Sequence, residues 1–148
     1  DGARADLAKI VTHREGAHLY TCGPDRYMTA VLDAAEANDW PEDDLHREYF
    51  SVPEQADWEN HAFTLKLARS GKEIVVPADQ SATDALSSHD IRIDTKCSDG
   101  ICGVCVTGLI EGEVEHRDYV LAKRDRASKV ILCCSRAARP DGVITIDL

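Results

Sequence analysis

The 148-residue chain sets 17 Lys and Arg against 27 Asp and Glu, for a formal net charge of -10 and a sequence pI near 4.9. Its 43% hydrophobic content fits one or two small folded domains rather than a disordered chain, and its acidity disfavours nucleic acid, whose affinity rests on Lys and Arg meeting phosphates. The longest apolar run, Val130 to Cys134, is far short of the ~20 residues of a membrane helix, and Asp1-Gly2-Ala3-Arg4 lacks a signal-peptide core, so a cytoplasmic protein with protein partners is expected.

Residues 4 to 12 predict a short helix, and Ala17-His18-Leu19-Tyr20-Thr21-Cys22 a buried strand stopped by Gly23-Pro24. Pro24 suits the first position of a second helix, with Asp25 at its positive end. Met28, Val31, Leu32 and Ala35 line one face of that helix, and Trp40-Pro41 ends it. A further strand is expected around His46 to Phe50. The order helix, strand, helix, strand is half of a parallel α/β sheet, and the chain opens on Asp rather than Met, so a fragment of a longer protein is expected.

Residues 51–60, SVPEQADWEN, are polar and without period, which predicts a linker. Phe63, Leu65 and Leu67 then alternate with Thr64 and Lys66, Ser70-Gly71 turns the chain, and Ile74-Val75-Val76 returns as the second strand of a hairpin. Ser81 with Asp84 three residues on predicts the capped start of a helix of about two turns. Beyond a long cysteine-bearing loop, strands are expected at Val104 to Ile110, Val130 to Cys133 and Val143 to Leu148.

Cys97, Cys102 and Cys105 stand as C-x4-C-x2-C, with Cys133 lying 28 positions beyond and Cys134 next to it. This is the plant-type [2Fe-2S] spacing, in which one tight loop supplies three thiolates and a distant segment closes the site. Gly100 and Gly103 let the backbone curl so that N–H groups face the sulfurs, and Ser98 offers a hydroxyl donor. In a strand, Cys133 and Cys134 would point to opposite faces, so only one of them reaches the irons. The competing readings are a zinc-stabilised interaction module without redox role and a free-standing ferredoxin. Zinc sites pair C-x2-4-C with a second close pair or with H-x3-5-H, whereas only Cys102 and Cys105 make such a pair here. A Rieske centre needs two His on one iron, and none of the six His sits two residues after a loop cysteine. His116-Arg117-Asp118 spells the opening of a kinase catalytic loop, but Lys123 stands where the metal-binding Asn belongs, so a polar turn is expected.

The segments CSDGICGVC, GLIEGEVEHRDYVL, CCSRA and VITIDL resemble the carboxy-terminal ferredoxin domain of the phthalate dioxygenase reductase family, over about residues 58 to 148. That family includes reductase components of Rieske-type oxygenases and aromatic O-demethylases, and the tail of some self-sufficient cytochromes P450 is similar. YTCGP at Tyr20 to Pro24 and EYF at Glu48 to Phe50 resemble the end of the family's nicotinamide-binding domain. The resemblance implies an α+β chain: residues 1–50 as an incomplete NAD-binding part, linker 51–60, and a β-grasp ferredoxin domain at 61–148. It implies a parent oxidoreductase that takes a hydride from NADH to FMN and passes single electrons through the cluster to a terminal oxygenase or a P450 heme domain. This chain, without the flavin-binding segment, is expected to act alone only as an electron carrier. Cys22, with Gly23 and Pro24, would lie beside the nicotinamide, and relatives that keep Cys at the first position of the pair assign the fourth ligand to Cys133. Docking to the acceptor is expected to use acidic residues of the cluster rim, Asp94 and Asp99.

Overall fold

The computed structural model describes residues 5–49 and 58–148. Contacts divide the chain into two units, Asp1–Glu54 and Gln55–Leu148. Most of the expected linker, residues 51–57, lies outside the described residues, as do Phe50 and the first residue of the helix expected at 4–12.

In the first unit, a single-turn helix α1 (Leu7–Ile10) precedes strand β1 (Leu19–Cys22), helix α2 (Asp25–Glu36) and strand β2 (Leu45–Glu48). β1 and β2 pair in parallel, from Leu19 opposite Leu45 to Cys22 opposite Glu48. A parallel pair needs a crossover, and α2 supplies it. Met28, Val31 and Ala35 are buried, while Leu32 is only half-buried. Two details differ from the expectation. Pro24 caps α2 rather than occupying its first turn, and the helix stops at Glu36, well before Trp40-Pro41. Asp39 takes the left-handed conformation (φ 57°), which lets the Trp40 N–H return to the Ala35 carbonyl at 3.1 Å. The Trp40 indole, donating to the Val11 carbonyl at 3.1 Å, then packs on the small core of Val11, Val31 and Ala35.

In the second unit, β3 (Phe63–Leu67) and β4 (Glu73–Val76) form the expected hairpin. Helix α3 (Ala82–Ser88) follows, then β5 (Val106–Glu111), β6 (Val114–Glu115), β7 (Lys129–Ile131), β8 (Arg136–Ala137) and β9 (Val143–Ile146). Five strands form one sheet in the order β4-β3-β9-β5-β7, with β3 and β9 parallel at its centre and the other pairs antiparallel. β6 and β8, too short to announce themselves in the sequence, pair separately. Strand period two sends Phe63, Leu65 and Leu67 inward and Lys66 outward. Ala82, Ala85 and Leu86 of α3 close over that inner face in one core with Val76, Ile144 and Ile146. This is the expected β-grasp arrangement of a helix laid on a mixed sheet. The capping box of α3 is formed: Ser81 Oγ accepts from the Asp84 N–H at 3.1 Å, and Asp84 Oδ2 accepts from the Ser81 N–H at 3.3 Å.

Leu65 is fully buried at the sheet centre, so Leu65→Ala should cost about 2–5 kcal/mol of folding free energy. Ser81→Ala should cost only about 1 kcal/mol through the lost cap. Equilibrium denaturation of the two variants checks the order; equal losses would contradict a core centred on this sheet.

Candidate metal centre

The loop from Cys97 to Cys105 runs without regular structure, and its course depends on left-handed residues at Ser98 (φ 61°), Gly100 (φ 74°) and Gly103 (φ 72°). That curl turns amides inward. Cys97 Sγ accepts the N–H of Asp99 at 3.4 Å, and the N–H groups of Ile101 and Cys102 also face it. Burial opposes ionisation of this thiol, but the three amides and the Cys102 thiol outweigh it and bring the pKa down to about 7. Ser98 itself is exposed, so the donor at Cys97 is the backbone beside it rather than its hydroxyl.

Cys105 opens onto β5 and Cys133 follows β7; both are buried and pack with Ile131 in a small apolar cluster of their own. Their thiols hydrogen-bond to each other, and that bond, with burial, pushes the Cys105 pKa strongly up. Cys133 is pulled down by Cys105 but pushed up by Cys134 and by burial, to about 12. Among the four spaced cysteines the thiol contacts fall into two pairs, Cys97 with Cys102 and Cys105 with Cys133, and Cys134 makes a further contact to Cys133. Among the described residues, no three His, Cys, Asp or Glu side chains converge on a point that would hold one metal ion. Tetrahedral zinc wants four ligands around one centre, whereas a binuclear iron-sulfur cluster would take its four thiolates in pairs, and Cys97 with Cys102 and Cys105 with Cys133 fit that second demand.

The strand expected at Val130 to Cys133 ends at Ile131, and Leu132, Cys133 and Cys134 form a turn closed by the Ser135 N–H on the Ile131 carbonyl at 3.1 Å. The opposite-face argument for Cys133 and Cys134 consequently does not apply. The half-buried Cys134 thiol instead touches that of Cys133 and lies over Gly100. A Cβ added at Gly100 would stand 2.7 Å from Cys134 Sγ and 3.1 Å from Asp118 Cα. The Gly100 carbonyl also accepts the Tyr119 N–H at 3.1 Å. Three segments distant in sequence thus converge on one residue without a side chain.

His116-Arg117-Asp118, expected as a polar turn, is instead packed inside. The Asp118 carboxylate is fully buried, and its Oδ1 accepts the N–H groups of Val120 (3.1 Å) and Leu121 (2.7 Å). Arg117 is bound by Glu115, donates to Asn60 Oδ1 at 2.6 Å and to the Glu59 carbonyl at 3.0 Å, and lies over the Trp58 ring. Arg136, just after the cysteine turn, donates to the carbonyls of His61 (2.8 Å), Pro77 (2.6 Å) and Gln80 (2.9 Å) and covers Phe63. Its only signal in the sequence is an Arg inside an otherwise apolar stretch. A cleft of about 480 Å³ runs between Trp58, Asn60, Ser98, Arg117, Cys133 and Cys134.

The remaining candidates are divided between the two units. Cys22 ends β1 and its thiol donates to the Glu48 carbonyl at 3.0 Å; Gly23 and Pro24 lead from it into α2. Asp94 is exposed and Asp99 half-buried, with the exposed Cys102 and Val104 on the loop between Asp99 and β5.

Both loop glycines have positive φ, so alanine at either strains the backbone by about 1–2 kcal/mol. The Gly103 position has room, its nearest neighbour being Val120 Cγ2 at 3.7 Å, whereas Gly100 has none. Gly103→Ala should keep its iron and visible absorbance, and Gly100→Ala should lose most of both. Equal retention by the two variants would contradict the close packing at Gly100.

The model of the 2Fe-2S iron-sulfur cluster binding domain family matches residues 65–138, half of the chain. Vanillate O-demethylase oxidoreductase of Pseudomonas sp. (strain HR199 / DSM 7063) is 37% identical over 132 residues, covering 88% of this chain and 42% of that protein. The chain thus spans less than half the length of this curated relative. Among solved structures, an intact type IV self-sufficient cytochrome P450 monooxygenase is similar with a TM-score of 0.74 at 37% identity, over 99% of this chain and 19% of that one. Phthalate dioxygenase reductase, described as a modular structure for electron transfer from pyridine nucleotides to [2Fe-2S], is similar with a TM-score of 0.67 at 33% identity, over 100% of this chain and 46% of that one. The chain belongs to the 2Fe-2S iron-sulfur cluster binding domain family, is similar along its length to phthalate dioxygenase reductase, and its ferredoxin domain is an electron carrier.

Proposed function

We propose that Cys97, Cys102, Cys105 and Cys133 hold the [2Fe-2S] cluster, and that it relays single electrons from an NADH-reduced FMN to a terminal oxygenase or a P450 heme domain. The observation that carries the ligand set is the meeting of four thiols in two pairs drawn from one loop and one distant turn. When bound, the cluster supplies a one-electron redox step at low potential, on the order of -400 mV for plant-type centres. The chain's own groups do the rest. Amides of Asp99, Ile101 and Cys102 compensate thiolate charge at Cys97, and the apolar packing of Cys105 and Cys133 with Ile131 keeps water from one side of the site. Exposed Cys102, with exposed Val104 two residues on and exposed Val120 against the Gly103 position, leaves the other side open to a partner.

Residues 1–50 fit the carboxy-terminal part of an NAD-binding domain in the parent protein, joined through 51–60 to the ferredoxin domain at 61–148. A parallel β1-α2-β2 unit binds its ligand beyond the strand ends, before the helix amino terminus, where Cys22, Gly23 and Pro24 stand. The bond to Glu48 fixes the Cys22 thiol at that strand end. Delivery to an oxygenase is supported by relatives whose names are those of oxygenase reductases, and docking of the ferredoxin domain on a separate protein by the solved structure of Pseudomonas putida CBB5 NdmA with the ferredoxin domain of NdmD. The zinc-module reading fits neither the family nor the paired thiols.

The purified protein should contain iron and acid-labile sulfide in equal amounts and show one unpaired spin per cluster on reduction; stoichiometric zinc without sulfide would contradict the reading. Cys133→Ser should lose or severely destabilise the cluster, because a hard alkoxide replaces a soft thiolate. Cys134→Ser should keep the visible spectrum. A bleached Cys134→Ser protein beside a coloured Cys133→Ser protein would move the fourth ligand by one residue.

A further inference from the structure

Behind the cluster loop lies a buried polar pair with no use in the relay described above. His116 is one-tenth exposed at its side chain and Asp118 not at all, and their facing atoms, Nδ1 and Oδ2, stand 3.6 Å apart. Both atoms are buried and neither has a hydrogen-bond partner. The other imidazole nitrogen explains the gap. His116 Nε2 lies 3.2 Å from the Arg126 carbonyl, which can only accept, so Nε2 carries the proton of the neutral ring. Nδ1 is left with a lone pair aimed at a carboxylate oxygen, two acceptors facing each other with no proton between them. Such an arrangement is costly in a buried site and becomes a charge-assisted hydrogen bond on addition of a single proton.

The pair is wired to the metal centre by short contacts. The residue after Asp118 donates to the Gly100 carbonyl, and Asp118 Cα and Cys134 Sγ close on Gly100 from two sides. We propose that the space between His116 Nδ1 and Asp118 Oδ2 is a proton-binding site that fills when the neighbouring cluster is reduced. This inference rests on the cluster reading above. One electron enters the cluster from its donor, one proton enters from solvent onto Nδ1, and no net charge is added to the buried region. The other titratable or charged groups facing the pair are Arg126, whose Nη2 donates to the Asp118 carbonyl at 3.2 Å, and Cys134. Arg117, between the two residues in sequence, is turned away to Glu115, Asn60 and Trp58. Burial and the Arg126 charge, against the pull of Asp118, lower the His116 pKa, which favours the neutral ring.

The test is the midpoint potential of the iron-loaded full chain between about pH 5 and 8, after iron, sulfide and spin counts have established the cluster. The wild-type potential should fall as pH rises. His116→Gln, which removes the titrating ring, should flatten that dependence. Asp118→Asn keeps Oδ1 for the two backbone amides and presents an N–H to Nδ1, so it should fold, hold its iron, lose the pH dependence and shift the potential upward by removing a buried negative charge. Should that variant fail to hold iron, His116→Gln alone decides. A wild-type potential independent of pH, or a slope unchanged in His116→Gln, overturns the proton site while leaving the cluster reading intact. Absence of iron and sulfide from the wild type would instead defeat the cluster reading first.

Discussion

The proposed cluster site asks for four thiols drawn from residues 97–105 and from a turn 28 positions further on. The architecture of the second unit answers that demand. Pairing of β5 with β7, Val106 opposite Ile131, brings together the segments just beyond the two strands, with Cys105 directly before β5 and Cys133 two residues past β7, where their thiols meet. The Leu132 N–H on the Cys105 carbonyl continues that ladder into the turn. The sheet therefore positions the buried thiol pair, and the loop has only to curl back on its own amides to set the exposed one. A register slip of one residue would turn the strand side chains to the other face and uncouple the pair.

Polar groups hold these segments where apolar packing is thin. Arg136 ties the cysteine turn to three carbonyls from the β3 and α3 approaches, and Arg117 fastens residues 58–60 to the segment after β6. Fork-shaped guanidinium groups suit this work, since one side chain satisfies several fixed acceptors at once. The same segments bury Asp118 and His116 beside Gly100, so the positions that shape the loop also set its electrostatic surroundings.

Much of this was legible in the sequence because it follows from period and spacing. Alternation at Phe63, Leu65 and Leu67, the Ser81 and Asp84 cap, and the C-x4-C-x2-C run all carry local signals that the structure repeats. What the sequence hid depends on contacts between distant segments. Leu132-Cys133-Cys134 has the apolar, β-favouring composition of a strand, yet it turns, since the Cys133 thiol must face Cys105 while Ser135 bonds back to Ile131. His116-Arg117-Asp118 looks hydrophilic, and only tertiary partners such as the Val120 and Leu121 amides reveal that it is buried. In the first unit, the early end of α2 reflects the docking of Trp40 on Val11, an interaction 29 residues apart. The assignment of Cys133 over Cys134 now rests on thiol pairing rather than on strand faces.

The central claim is that each iron is held by one of the two thiol pairs. Diffraction from crystals of the iron-loaded protein, with the metal located by anomalous scattering at the iron edge, tests it most directly. The account predicts two iron positions, one bonded to Cys97 and Cys102 and the other to Cys105 and Cys133, with Cys134 unbound. A single metal position, or Cys134 in place of Cys133, would contradict it.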